Sequence, residues 1–229
     1  MSVKILTMEY FSTDFNQFFI ELAGNNHKDW FDTNRKRYEK NIKEPFKKFT
    51  AALIEEVRKH EPSISLEPKN AIFRINRDIR FSKEKIPYKL FMSAVVSPLG
   101  KKDKTNPGIY VQLGPEDVRI YGGVYVTDKD QLLKMRQHIA DNLKGFDKAI
   151  QSDGFQKYYS GAIHGDKHKR LPKEMQAAAE KQPLLYNKSF YYFNKLDADL
   201  VHSPKLMETI MEHYHAAKPV RDFLANALK

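Results

Sequence analysis

The chain has 229 residues, a net charge of +10 at pH 7 and no cysteine. A hydrophobic share of 41% is typical of a globular protein, and the length suffices for a single domain over residues 1–229. Because cysteine is absent, the composition excludes disulfides, zinc fingers and thiol nucleophiles, and it suits a cytoplasmic protein.

Neither a secretory leader nor a membrane span is expected. Residues 1–9 lack a long apolar run with a small-residue cleavage site, and nowhere do about 18 apolar residues follow one another. The high positive charge instead favours an anionic partner.

The N-terminal third has the spacing of amphipathic helices. Ser12 or Thr13 is predicted to cap a first helix, and Asn25 or Asn26 to cap the next. Pro45 is predicted to open a further helix or to kink the helix before it.

The middle of the chain alternates apolar and polar residues, as half-buried strands do. Strands are predicted over 72–81, 88–97, 108–113 and 118–126. A turn at 114–117 joins the last two as in a meander, and Gly122-Gly123 marks a bulge or a close approach to bare backbone.

The C-terminal part returns to helical spacing. Thr127 or Asp128 is predicted to cap a helix, and a polar, lysine-rich loop and a strand over 189–193 follow. Ser203-Pro204 opens a C-terminal helix, which Pro219 breaks. The order predicts an α+β fold, with a largely antiparallel sheet packed against N-terminal and C-terminal helices.

Positive charge is concentrated between Lys69 and Lys104. This interval holds ten cations and three anions, Asp78, Glu84 and Asp103, which leaves a surplus of seven. A smaller basic concentration, which has the composition of an exposed loop, covers 164–170. His164 and His168 in this loop are not expected to bind a metal, because Gly165 and the cations disfavour it.

One stretch inside this interval predicts an anion site, because guanidinium and ammonium groups bind phosphate or carboxylate oxygens. The candidate ligand-binding residues are Arg74, Arg77, Arg80, Lys83, Lys85, Tyr88 and Lys89. Asp78 is expected to stay ionised and to hold Arg74 or Arg80 in position. Trp30 is either a core residue or a stacking surface beside the arginines. The competing interpretation is a solvated loop whose acids pair with the arginines.

Arg77 is the exception in the alternating pattern. It falls on the apolar face of the predicted strand, so it is either turned outward by a bulge or buried with a carboxylate partner.

The same stretch resembles domain-of-unknown-function family 2461, a group of mostly bacterial conserved hypothetical proteins. The resemblance lies in residues 77–89, where the family has Asp at the position of Glu84, and in Asn25-Asn26 with Trp30-Phe31. The Gly-Gly strand, residues 171–173 and the C-terminal helix fit as well. The resemblance implies a fold but no known activity.

Three functions remain open. The first is a binding protein with a basic pocket for a phosphorylated or otherwise anionic small molecule, and the second is an enzyme acting on such a substrate, with Asp78 or Tyr88 handling a proton. The third is a surface for an acidic protein or nucleic acid, and the nucleic-acid version rests on charge alone. No metal or cofactor is expected, because the common nucleotide-binding, zinc-protease and serine-hydrolase motifs are absent from the sequence.

Overall fold

A computed structural model describes residues 8–80, 82–102 and 106–229 of the chain. The fold is α+β, as predicted, with an antiparallel meander as its sheet. The strands are hydrogen-bonded in chain order, β1 (Met92–Val96), β2 (Gly108–Leu113), β3 (Val118–Val124) and β4 (Phe190–Leu196).

Helices precede, interrupt and follow the sheet along the chain. The N-terminal helices are α1 (Asp14–Gly24), α2 (Lys28–Thr33), α3 (Arg35–Arg37), α4 (Glu44–Arg58) and α5 (Pro68–Ala71). Between β3 and β4 lie α6 (Lys129–Asp141), α7 (Leu143–Ile150), α8 (Asp153–Tyr159) and α9 (Lys173–Lys181). After β4 come α10 (Leu206–Ala216) and α11 (Lys218–Asn226). In the described part of the chain, no helix is both long and apolar enough to cross a membrane.

The chain forms two compact units. The first contains the described residues up to Lys101, together with Tyr110–Ile120 and Lys195–Met211. The second contains Lys102–Ile109, Tyr121–Asn194 and Glu212–Lys229. Since the chain passes between the units more than once, neither is a continuous segment. The expected single domain stays a prediction.

The first unit is built around aromatic side chains from its helices. Phe15, Phe18 and Phe19 of α1 are fully buried, as are Phe46 and Phe49 of α4. Ring centroids within this cluster lie 5.4 to 5.9 Å apart for neighbouring pairs on the same helix. The three- and four-residue spacing of these rings is therefore the spacing of a helix face that forms a core.

Pro45 lies in the first turn of α4, directly after a π-helical turn over Tyr38–Lys43. A proline has no N–H to donate and disfavours the helical conformation of the residue before it. Pro45 therefore opens α4, as predicted, after a turn in which each backbone hydrogen bond spans one residue more than in an α-helix.

The second unit has its own core, to which its helices and β4 contribute. Phe146, Phe155, Leu185, Phe190 and Leu224 are fully buried in it. The predicted lysine-rich loop before β4 is wrong over most of its length, because α7, α8 and α9 lie there. Their short apolar stripes, only two or three side chains each, are hidden in a lysine-rich sequence.

Several local predictions are confirmed. Strand β2 has the predicted bounds, and Asp128 caps α6 through a capping box with Gln131. Gly122 faces the ring of Tyr192, and Gly123 has a φ of 89° and approaches the carbonyl of Phe190. A side chain at either glycine would collide with these groups.

One capping prediction is wrong. His27 caps α2 by accepting a hydrogen bond from the N–H of Trp30, so neither Asn25 nor Asn26 is the cap. The predicted break near Pro219 is confirmed, because α10 ends at Ala216 and Pro219 lies in the first turn of α11, where its missing N–H has no cost.

Candidate functional site

The candidate site lies on an irregular antiparallel hairpin of the first unit, here called the basic hairpin (residues 72–91). Its two sides are joined by backbone hydrogen bonds from Arg77 N to Pro87 O (2.8 Å) and from Lys89 N to Ile75 O (2.9 Å). Residues 78–80 and 82–86 form its tip, and residues 72–77 with 87–91 form its base. Phe81 lies outside the described residues.

The predicted strand over 72–81 is wrong as a continuous strand. Among the described residues of this segment, bridges to residues later in the chain occur at Ile72, opposite Ala94, and at Asn76, opposite Tyr88. The bridged positions are four positions apart on one side and six apart on the other, so two extra residues interrupt the ladder as a bulge. The sequence of this segment therefore alternates apolar and polar residues, but the segment does not pair with its neighbour as a regular strand.

At the tip, the cations are exposed or already bonded. The guanidinium of Arg80 donates to both carboxylate oxygens of Asp78, at 3.0 Å from Nε and 2.7 Å from Nη2. This pair lowers the pKa of Asp78, as the sequence predicted. Lys85 Nζ donates to the carbonyl of Ile79 at 3.1 Å, and Lys83 is exposed.

The side chain of Arg77 is exposed, so of the two alternatives for this residue, turned outward or buried with a carboxylate partner, the structure has the first. The backbone N–H of Arg77 makes the last described hydrogen bond of the hairpin before the tip, and its neighbours Asn76 and Asp78 are exposed as well. The side chain therefore needs no buried carboxylate partner.

At the base, Lys89 has a different environment. The side chain is half-buried, and its ammonium lies 5.6 Å from the ring centroid of Phe73 and 5.9 Å from that of Phe91. Both distances are within the range of a cation–π interaction. The Lys89 ammonium makes no ion pair with a carboxylate in the described part of the chain.

Arg74 is the charged neighbour of Lys89. Burial lowers the pKa of Lys89, and the positive charge of Arg74 lowers it further. Arg74 is exposed and also contributes the smallest of the effects that act on the pKa of Asp78. Its guanidinium makes neither a hydrogen bond nor an ion pair among the described residues. Two cations thus share the base without a bonded acid.

Tyr88 belongs to the core of the first unit. Its ring is buried and stacks on Phe31, with the centroids 4.1 Å apart and an angle of 15° between the planes. The side chain of Asn26 accepts from the backbone N–H of Tyr88 and donates to its carbonyl, both at 3.0 Å. We therefore remove Tyr88 from the candidate ligand-binding residues.

Trp30 is also a packing residue. It is partly buried, and its ring centroid lies 5.5 Å from that of Phe18, inside the aromatic cluster of the first unit. This contact fits the core interpretation of Trp30.

Sequence reasoning missed two contributions to the site. Phe91 could have been found, because Lys89 and Phe91 are two residues apart in an extended segment and so share a face. The role of Asn26 could not, since the residue that it clamps is 62 positions away. Asp103 and Lys104, which entered the charge surplus, lie outside the described residues.

The structure therefore narrows the candidate cluster to a pair of cations, Arg74 and Lys89, of which Lys89 lies over two aromatic rings. No curated protein and no solved structure gives a significant match to the chain. A family model described as conserved hypothetical protein (DUF2461) matches residues 14–223, which include the whole basic hairpin. The chain therefore belongs to this family of conserved hypothetical proteins.

Proposed function

We propose that the protein binds a phosphorylated or otherwise anionic small molecule, which Arg74 and Lys89 hold at the base of the basic hairpin. The supporting observation is the half-buried ammonium of Lys89, which lies near a second cation and makes no described ion pair with an acid. A half-buried ammonium beside a second cation costs free energy. An oxyanion bound between them would offset this cost.

The surroundings of Lys89 suit this role. The rings of Phe73 and Phe91 attract the ammonium without neutralising it, so the charge stays available to a ligand. Arg74 adds an exposed guanidinium, which can donate two parallel hydrogen bonds to a phosphate or a carboxylate. Arg74 thus offers a ligand two parallel hydrogen-bond donors, and Lys89 offers it a compact positive charge.

An enzyme that acts on a phosphate-bearing substrate is the second candidate, and it lacks comparable support. A general base needs a pKa near the working pH. Arg80 lowers the pKa of Asp78, and the ring of Tyr88 is packed against Phe31. Both residues considered for proton transfer are therefore poorly suited to it. We also propose a cytoplasmic location, for which the cysteine-free composition is the support.

A thermal-shift titration with inorganic pyrophosphate tests the proposal. The test variant is Arg74→Gln with Lys89→Met, which retains the aliphatic stem of Lys89. The matched control is Lys83→Met with Lys85→Met, which removes the same charge from the tip. A ligand at 100 times its Kd stabilises the native state by about 2.7 kcal/mol.

We expect pyrophosphate to raise the Tm of the wild type and of the tip control, and to have no effect on the base variant. Equal loss of the shift in both variants would mean that only net charge matters and would refute the site. A base variant whose urea midpoint falls sharply would assign the cations a structural role instead.

A further inference from the structure

The second unit carries a cluster of aromatic side chains that lie outside its buried core. We call it the aromatic patch, and it consists of Tyr121 of β3, Tyr125 just after β3, Tyr191 and Phe193 of β4, and His164. Tyr191 and Phe193 alternate along β4 with the buried Phe190 and Tyr192, so they lie on the face opposite the core.

The rings of the patch lie side by side. Tyr121 and Phe193 are stacked, with centroids 5.1 Å apart and an angle of 21° between the planes. Tyr191 and Phe193 are 6.5 Å apart at 29°, and His164 lies 4.9 Å from Phe193. Tyr121, His164, Tyr191 and Phe193 are each partly exposed, so this row of rings can be reached from solvent.

Tyr125 extends the patch into solvent. Its side chain is 67% exposed, and its ring meets that of Tyr191 edge-on at 5.4 Å. Burial raises the pKa of Tyr191, and the nearby hydroxyls of Tyr125 and Tyr121 raise it further. The ring centroids of Tyr121 and Tyr191 lie 6.5 Å apart, so the three tyrosine rings are neighbours.

A basic strip runs beside the patch. Residues 164–168 pair with the chain before and within β4 through antiparallel bridges from His164 to Tyr191 and from Lys167 to Asn187. A hydrogen bond of 2.7 Å from Lys188 N to Asp166 O fixes the pairing. The strip consists of four exposed cations, Lys167, Lys169, Arg170 and Lys188.

The strip has an excess of positive charge. Asp166 is the only acid within 164–170, and no described carboxylate makes an ion pair with the four cations of the strip. The nearby cations Arg136 and Lys188 add to the burial effect that lowers the pKa of His168. This surface therefore attracts anions next to exposed rings.

We propose that the aromatic patch and the basic strip bind single-stranded nucleic acid, with bases stacked on the rings and phosphates bound by the cations. Bases have an aromatic face and phosphates a negative charge, and unpaired bases can lie flat on a sheet. A duplex would hide the base faces, and an acidic protein would not need the rings. The proposal concerns the second unit alone and does not depend on the anion site at Lys89.

Fluorescence anisotropy with labelled 12-residue oligo(dT) and oligo(U) tests the proposal, with a duplex of the same length for comparison. Tyr125→Ala removes an exposed ring and Tyr125→Phe keeps it. Phe193→Leu removes a ring but keeps an apolar side chain. Lys181→Met, on the exposed side of α9, is the charge control for Lys167→Met with Lys169→Met.

Each loss of a ring should weaken binding of the single strands on the order of tenfold, and Tyr125→Phe should restore wild-type affinity. The double lysine variant should flatten the dependence of log K on log salt by about 0.7 per lost phosphate contact, while Lys181→Met leaves it unchanged.

Three results would overturn the proposal. One is binding of the duplex as tightly as the single strands, and another is an equal effect of Phe193→Leu and Lys181→Met. The third is absence of binding at low salt, including the case in which sedimentation shows self-association through the patch instead. Because Tyr125 is exposed, its variants should fold, so the ring contribution is measurable in any case. Pyrophosphate binding at Lys89 should persist in all of these variants, so each proposal can fail alone.

Discussion

The tip and the base of the basic hairpin carry the same kinds of side chain in two different settings. At the tip, Arg80 is paired with Asp78, and Lys83 is surrounded by solvent. At the base, Lys89 is half-buried near Arg74 and over two rings. A count of cations treats the two regions alike, but burial and the nearest acid decide which charge remains for a ligand.

The largest expected effect on stability comes from a substitution of Asn26, whose side chain bonds to the backbone of Tyr88 at the base of the hairpin. Asn26→Ala would leave the N–H and the carbonyl of the buried Tyr88 without their partner. We expect the free energy of unfolding to fall by about 2 to 4 kcal/mol, measured by urea denaturation. The control is Asn25→Ala, because Asn25 is exposed and donates a single hydrogen bond to the carbonyl of Glu21. An equal loss for the two variants would contradict the clamp.

A smaller effect concerns the pH dependence of stability. The pKa of Lys89 is lowered in the folded protein, so between this value and about 10.4, its value in the unfolded chain, the unfolded state binds more protons. Stability conferred by this group therefore rises with pH across that window. Chemical denaturation of wild type and Lys89→Met at several pH values from 8 to about 10.4 checks the sign.

The wild type should gain stability relative to Lys89→Met as the pH rises in that series. At pH 7, Lys89→Met should unfold no more easily than the wild type, since a desolvated charge is removed. A relative loss with rising pH would mean that an acid stabilises the Lys89 ammonium.

The smallest effects are expected at the tip. Asp78→Asn breaks the pair with Arg80, which is exposed and therefore strongly screened. Arg77→Ala removes a side chain that lies in solvent. Neither variant should change the urea midpoint measurably. A clear loss for Arg77→Ala would favour the buried, paired alternative.

Local patterns allowed the sheet to be predicted well. Strand β2 and the turn after it follow from strict alternation and from a Gly-Pro pair, and Gly122-Gly123 marks two close approaches. The prediction of a continuous strand over 72–81 was wrong because the two-residue bulge depends on residues 88–94. The alternating pattern within 72–81 contains no information about those residues. The helices α7 to α9 were not predicted because short apolar stripes in a lysine-rich sequence resemble a loop.

The candidate site was predicted as a region rather than as an arrangement. Local sequence placed the cations on one segment and predicted that Asp78 holds Arg74 or Arg80, of which the structure pairs it with Arg80. It could not separate Lys89 from Lys83, because the two differ in burial, which the surrounding tertiary structure determines. Nor could it identify Tyr88 as a core residue, since Phe31 and Asn26 reach it from a distant part of the chain.

The most direct test of the anion site is a side-chain NMR titration of Lys89 with and without saturating inorganic pyrophosphate. Without ligand, the Lys89 ammonium should titrate below an ordinary lysine, and pyrophosphate should raise its midpoint while that of Lys83 stays unchanged. An unchanged Lys89 midpoint, or equal changes at the two lysines, would contradict an anion site at the base of the hairpin.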